Sequence, residues 1–152
     1  MGTFTFYASP TSSGNLLQDA TVSLAVSPTT AVVNLANSLP GASASGTVNV
    51  ANTGTVDAYY FVSADWSPVS PTTAYQAAVL ANKAQVSAAV ESSPAFYTGP
   101  LDGLRSLPSP GIFLPSPTSQ NVTFTVSLPS GTGNVVQGMQ LSFDFLFVAE
   151  QA

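Results

Sequence analysis

The stretch that decides the fold is Met139-Gln140-Leu141-Ser142-Phe143-Asp144-Phe145-Leu146-Phe147, in which large apolar residues occupy every second position. Successive side chains of a β-strand point to opposite faces, so this period predicts a strand with one apolar face. That face carries Met139, Leu141, Phe143, Phe145 and Phe147. The predicted strand spans residues 137–149, and its pattern is the strongest core-strand pattern in the sequence.

The same two-residue period recurs through much of the chain. It is found at residues 21–26, 31–35, 45–51, 56–64 and 120–128. The first two segments form either two strands or one broken strand. Turn residues rich in Gly, Asn and Pro separate the others, and they predict hairpin loops at residues 52–55 and 129–134.

One segment has a different pattern. Residues 73–91 contain no Gly or Pro and are rich in Ala, with apolar residues at helical spacing. Ala favours helices, and a Thr before the first turn can cap one, so we predict a single helix here with Thr72 or Thr73 as its N-cap.

Residues 96–117 are rich in Pro and Gly. We expect them to be irregular, with a possible helical turn at 101–107, inside a larger insertion at about 67–118. Many short strands with one inserted helix predict an all-β fold, an antiparallel jelly-roll-like β-sandwich. The predicted organisation is an N-terminal strand and tether at residues 1–15 and one sandwich domain at 16–152.

The N-terminal strand alternates hydroxyl-bearing and apolar residues. It comprises Thr3, Phe4, Thr5, Phe6, Tyr7 and Ala8. A polar segment with one proline follows at residues 9–15, which predicts a flexible tether. This strand can pair within its own domain or reach into a neighbouring copy, and the residues themselves leave both open.

Composition excludes several classes of partner. Of the 152 residues 45% are apolar and only 6% are charged, with a net charge of -5. Lys83 and Arg105 are the only basic residues, so binding to nucleic acids or to anionic membranes lacks an electrostatic basis. No run of 18 apolar residues predicts a membrane span, and the N-terminus lacks a signal-peptide pattern. We therefore expect a cytosolic chain or an already processed mature form.

The inventory of reactive side chains is equally limiting. Without His or Cys there is no imidazole base, thiolate or ordinary zinc site, so we expect neither an enzyme nor a cofactor. The seven acidic residues are scattered without the spacing of a calcium loop. For Asp19 and Asp57 we prefer hydrogen bonds to turn backbone over a calcium role. Asp144 should point outward from the last strand.

Two surface roles come from short patterns. Asn121-Val122-Thr123 is an N-glycosylation sequon, which makes Asn121 a possible acceptor in an exported chain. An aromatic set could also stack against sugars, but alternation would separate its members, so we assign most of them to the core or to subunit contacts. The set is Trp66, Tyr59, Tyr60, Phe61, Phe96 and Tyr97.

The chain resembles the TasA and camelysin family of extracellular fibre proteins, whose archaeal relatives form bundling pili. The matching stretches are residues 2–7 with Gly14-Asn15, Leu39-Pro40-Gly41, residues 50–57, and residues 136–151 with their ending Ala149-Glu150-Gln151. The helical and proline-rich middle lies outside this resemblance. Camelysin is reputed to be a protease, but this chain has no His-Glu-x-x-His motif.

The resemblance implies a jelly-roll subunit that is exported by a signal peptide, which is then removed. It also implies a homopolymer that grows head to tail by donor-strand complementation, with residues 3–8 as the donor strand. For the acceptor we predict a groove beside the last strand, lined by Met139, Leu141, Phe143, Phe145 and Phe147. The alternative function is a monomeric β-sandwich adhesin or surface-layer binding domain that uses the loops at 96–117.

Overall fold

The computed structural model describes the backbone of residues 2–8 and all atoms of residues 20–29, 40–132 and 138–152. Nine strands and one α-helix lie in these ranges. The strands are β1 Gly2–Ala8, β2 Leu24–Ser27, β3 Ser43–Asn52, β4 Ala58–Pro68, β5 Gln85–Val90, β6 Ala95–Pro100, β7 Leu107–Leu114, β8 Ser119–Ser127 and β9 Leu141–Gln151. Helix α1 spans Ala74–Lys83, and 3₁₀ turns span Leu101–Gly103 and Ser130–Thr132.

The strands form two facing sheets. One has the order β1-β9-β4-β7 and the other has the order β2-β3-β8-β5-β6. All pairs are antiparallel except β1 and β9, which run parallel. Among the described strands, only the β2–β3 and β5–β6 connections stay within one sheet, and connections that alternate between facing sheets are typical of jelly-roll sandwiches. The predicted all-β sandwich is therefore confirmed.

The core lies between the sheets, where alternate residues of each strand meet. Val48 and Val50 of β3 and Phe124 of β8 are fully buried against Phe145 and Phe147 of β9. The rings of Phe124 and Phe145 stack with centroids 4.0 Å apart. The period-two pattern thus identified the core faces of these strands.

The predicted helix is half as long as expected. Helix α1 begins after Thr73, whose hydroxyl accepts from the Gln76 amide while the Gln76 side chain accepts from the Thr73 amide. It ends at Lys83, and residues 85–90 form strand β5 instead. Alanine favours helices locally, but Val86, Ala88 and Val90 also alternate, and pairing with β8 overrides the helical preference.

The predicted insertion at 67–118 was wrong, because its residues belong to both sheets. Strands β5 and β6 extend the sheet of β8, while β7 pairs with β4. The prolines misled the prediction: β6 and β7 are edge strands, where a proline costs no ladder hydrogen bond on its solvent side. Of the helical turn predicted at 101–107, only Leu101–Gly103 is helical.

Neither predicted hairpin connects strands of one sheet. Residues 52–55 cross from β3 to β4, and the chain after β8 crosses to β9. Gly54 is required for close approach and not for a turn, because a Cβ there would overlap the carbonyl oxygen of Thr21. Residues 133–137 of the second connection and the segment predicted at 31–35 lie outside the described residues.

Candidate functional site

The candidate site is the edge of the sheet where β1 lies along β9. On its other side β9 pairs with β4 over eleven consecutive positions, from Ala58 opposite Gln151 to Pro68 opposite Leu141. β9 itself contains no Gly or Pro. It is therefore a long, regular and strongly apolar strand, and β1 occupies its second flank.

The predicted donor strand pairs with its own chain. Gly2 lies opposite Phe143, Phe4 opposite Phe145 and Phe6 opposite Phe147, in parallel register. Directly paired positions share a face of a sheet, so the apolar positions of the two strands are aligned. The family resemblance predicts that this strand pairs with a neighbouring copy, beside the same β9. The structure instead pairs it within the chain that carries it, and pairing between copies stays a prediction.

The predicted acceptor residues do not form one open groove. Phe143, Phe145 and Phe147 are 4%, 1% and 0% exposed, because they face the opposite sheet and fill the centre of the core. Met139 and Leu141 are only half-buried and lie near the beginning of β9. Alternation placed Leu141 and the three phenylalanines on one face of β9, whereas Met139 precedes the strand, and it could not distinguish core positions from an accessible surface.

The other described sheet edges are poorly suited to accept a strand. β7 contains Pro108 and Pro110, β6 ends in Pro100, and β2 has only four residues. Proline removes a ladder donor, and a short strand offers few bonds, so both features discourage pairing with another chain. The sequence predictions did not include this protection of the sheet edges, although the two prolines of β7 indicate it.

Acidic residues of the described part serve local structure. The Asp57 carboxylate accepts from the Ser116 amide, as predicted for a turn, and Asp102 accepts from Asn82. Asp144 is half-buried on the outer face, between two paired strands, so it does not protect an edge. Across the described ranges no three acidic side chains cluster as a metal site, and no helix there is long and apolar enough to cross a membrane. Asp19 lies outside the described residues.

Among the described residues, Tyr60 has the pKa that lies furthest from its ordinary value. Its ring is fully buried beside Phe147, and its hydroxyl donates to the Gln120 side-chain oxygen at 2.9 Å. Burial, and secondarily the negative charge of Glu91, raises the pKa of Tyr60 well above its ordinary value. The phenol is thus a structural hydrogen-bond donor and not an acid available near neutral pH.

The aromatic residues considered for sugar stacking separate as predicted. Tyr60 is in the core, whereas Tyr59 and Phe61 face outward on β4. Tyr59 lies against Phe113 of β7 with centroids 5.5 Å apart, and Phe113 is 45% exposed. Trp66 is half-buried under the Arg105 guanidinium, 5.7 Å from its ring centre. Phe113 is an exposed aromatic residue that sequence analysis did not single out.

The sequon asparagine lies on the outer face of the five-stranded sheet. Asn121 is exposed, but its side-chain oxygen accepts from the Asn49 side chain on β3 at 3.0 Å, and its backbone N–H donates to the Glu91 carboxylate. Thr123, the third sequon residue, shares a hydrogen bond with Thr47 at 3.1 Å. The sequon is therefore part of a paired strand within the sheet.

Comparisons with known proteins identify no family for this chain. No protein-family model matches the chain, and neither does any curated protein. Among solved structures, the chain is similar to the ASH or PapD-like domain of human CEP192, PapD-like domain 7. The identity is 16% and the TM-score 0.34, over 93% of this chain and 96% of that one.

Proposed function

We propose that this chain is the repeating structural subunit of an extracellular fibre, either a pilus or a biofilm-matrix filament. Copies join head to tail when β1 of one copy pairs with β9 of the next. One observation carries this proposal: the N-terminal strand is an edge strand, and it covers β9, whose Phe143, Phe145 and Phe147 fill the centre of the core. The resemblance to TasA-like fibre proteins supports the same mechanism and a cell-surface location after removal of a signal peptide.

Exchange of β1 would leave the sandwich intact. β9 keeps its eleven-residue pairing with β4 when β1 departs, so only one ladder has to break. The exposed β9 flank would then present unpaired backbone groups and apolar surface, which another copy of β1 satisfies. Exchange of an identical element between copies needs no new contact type, because the same register can form in either arrangement.

The tether is long enough for a neighbour in contact. Thr21 is fixed to the crossing loop, since its amide donates to Thr55 and its carbonyl accepts from the Thr55 amide. Residues 9–20 therefore join β1 to a fixed point, and an extended chain of this length spans at most roughly 40 Å. A compact domain of this size is about as wide, so β1 can reach an adjacent copy.

Head-to-tail growth follows from the two different surfaces. β1 is the donor and the β9 flank is the acceptor, so each added copy offers a new acceptor and the contact does not close on itself. The low charged fraction leaves little repulsion between copies. Both features favour a long filament.

The second candidate is a monomeric β-sandwich, an adhesin or a surface-layer domain. Pairing of β1 with β9 in one chain favours the monomer. The backbone groups of β1 already have hydrogen-bond partners in their own chain, so they do not require a second copy. The predicted binding loops at 96–117 are largely strands, so such a domain would bind through the exposed aromatic surface around Phe113.

Disulfide cross-linking between single-cysteine variants separates the two candidate functions. The wild-type chain has no cysteine, so a disulfide can form only between the introduced positions. Thr5 and Leu146 are directly paired, and neighbouring strands are close enough for a disulfide between such positions. Purified Thr5→Cys and Leu146→Cys proteins are mixed, assembled and oxidised. We expect filaments by negative-stain microscopy and a disulfide joining positions 5 and 146 of different copies by mass spectrometry.

The double variant Thr5→Cys/Leu146→Cys is the matched control. Oxidation should lock β1 onto its own β9 and hold the protein as monomers, and reduction should restore filaments. Persistent monodisperse particles of the wild-type protein, or filaments of the oxidised double variant, would contradict assembly by β1 exchange.

A further inference from the structure

An apolar cleft lies at the beginning of β9, beside the end of the β1–β9 ladder. It holds about 20 Å³ of free space, roughly the room of one water molecule, so a larger group enters only when a wall side chain moves aside. Its walls come from helix α1, the end of β8 and the start of β9, and among the described residues that line it Gln140 is the only polar one. The principal side chains are Leu80, Leu128, Met139, Leu141 and Phe143.

The cleft continues the surface that β1 occupies. Gly2, the first described residue of β1, pairs with Phe143, which also lines the cleft. Strand β9 begins two residues earlier, at Leu141. Its apolar face therefore extends past the ladder into the cleft, where Met139 and Leu141 remain half-buried.

We propose that this cleft is the landing site for β1 of a second copy, which inserts a phenylalanine, Phe4 or Phe6, before the resident β1 has left. This inference rests on the proposed function. It explains how a second β1 can begin to bind before the resident β1 has separated from β9. An incoming strand displaced from the final register by an even number of residues keeps its apolar positions on the apolar face. It can thus be anchored at Leu141 and advance as the resident strand detaches.

Two features of the walls suit an aromatic side chain. Nearly all of the lining is apolar, which matches a phenyl ring and disfavours a charged residue. Met139 is an unbranched, flexible side chain that can move aside to widen the cleft. Leu80 and Leu128, which pack against Met139, are 7% and 1% exposed and form the buried wall of the cleft.

Seeded elongation tests the proposal with Met139→Glu, which places a charge in the cleft, and Met139→Leu, which keeps it apolar. Sheared wild-type filaments are extended with each purified protein, and the elongation rate and the residual monomer concentration are measured. We expect Met139→Glu to elongate about tenfold or more slowly, the loss expected when an apolar anchor is removed. The residual monomer concentration should stay near that of wild type, and Met139→Leu should match wild type in both measurements.

The outcomes separate this inference from the proposed function. Filaments that elongate equally fast with Met139→Glu overturn the landing site and leave strand exchange standing. A residual monomer concentration that rises in step with the slower rate also overturns it, because the cleft would then belong to the finished contact. If wild-type protein forms no filaments, both proposals fail. Equal thermal unfolding of the three monomers excludes a folding defect.

Discussion

Asn52 joins the two sheets at the point where the chain crosses between them. It is 2% exposed, and its side-chain amide donates to the carbonyls of Val56 and Leu114 at 2.8 and 3.0 Å. Its side-chain oxygen accepts from the Gly54 amide at 3.0 Å. One buried side chain therefore satisfies three backbone groups of an irregular crossing, which cannot use a sheet ladder.

Replacement of Asn52 by Ala should lower the free energy of unfolding by about 2 to 4 kcal/mol, because buried backbone groups lose their partners. Urea denaturation of the monomer measures this loss. Asn49→Ala is the matched control, since the Asn49 side chain donates to the exposed Asn121 side chain on the outer face of the sheet. That control should cost less than about 1 kcal/mol. An equal cost for both variants would contradict the role given to Asn52.

Tyr60 makes stability depend on alkaline pH. Its folded pKa is raised by burial and by Glu91, so the phenol stays protonated in the folded state above the ordinary tyrosine value of about 10. Below that pH, Tyr60 makes its full contribution to the free energy of unfolding. Above it the unfolded chain loses the proton first, and stability falls by up to about 1.4 kcal/mol per pH unit.

Tyr60→Phe should remove this alkaline loss while lowering stability at neutral pH by about 1 kcal/mol, because the bond to Gln120 is lost. Urea midpoints between pH 8 and pH 11, compared with wild type, measure both effects. Parallel curves for the two proteins at high pH would show that another group is responsible.

At the scale of elements, β9 has one face in the core and one face outside. Phe145 stacks on Phe124 and is 1% exposed, whereas Val148 on the other face is 36% exposed. Phe145→Ala should destabilise the monomer by about 3 to 5 kcal/mol through the lost contacts and the cavity. Val148→Ala on the same strand should cost less than about 1 kcal/mol. Thermal and urea unfolding check this difference, and similar losses would contradict the assigned faces.

The edge strands also differ in what their residues permit. β7 carries two prolines, and its Gly111 lies so close to β4 that a Cβ would be 2.9 Å from the Tyr60 carbonyl oxygen. β9 has neither constraint. A strand such as β7 pairs on one side only, whereas β9 can accept a partner on both sides. This asymmetry favours the β9 flank as the place where copies join.

At the scale of the whole molecule, the scarcity of charge predicts how assembly responds to salt. Only nine of the 152 residues, seven acidic and two basic, are charged, and copies repel weakly through the net charge of -5. Raising ionic strength from about 0.05 to 0.5 M shortens the range of charge interactions several-fold but does not weaken apolar burial. Filament yield, measured by sedimentation, should therefore stay constant or rise. A sharp fall would indicate that ion pairs hold the copies together.

Part of this molecule was readable from local pattern. The alternation in β3, β8 and β9 predicted both the strands and their buried faces, because a strand with one buried face needs an apolar residue at every second position. Thr73 was identified as a possible cap for the same local reason. Of the candidate site, the sequence predicted the two strands but not that they pair with each other in one chain.

Other features depended on partners distant in sequence. Residues 85–90 form a strand because β8 is available beside them, although their alanines favour a helix. The prolines of residues 96–117 indicated irregular chain, but edge strands in two sheets accommodate several of them. Crossing loops and hairpins use the same turn residues, so sequence could not distinguish them.

The sequence by itself determined that this is an all-β chain with few charges and without His or Cys. Tertiary structure alone decided that β1 runs parallel to β9 in the same chain, which edges the prolines block, and where an apolar cleft remains. The physical reason is that a strand's alternation specifies which face is buried. Its neighbours and direction are set by the free energy of the whole sandwich.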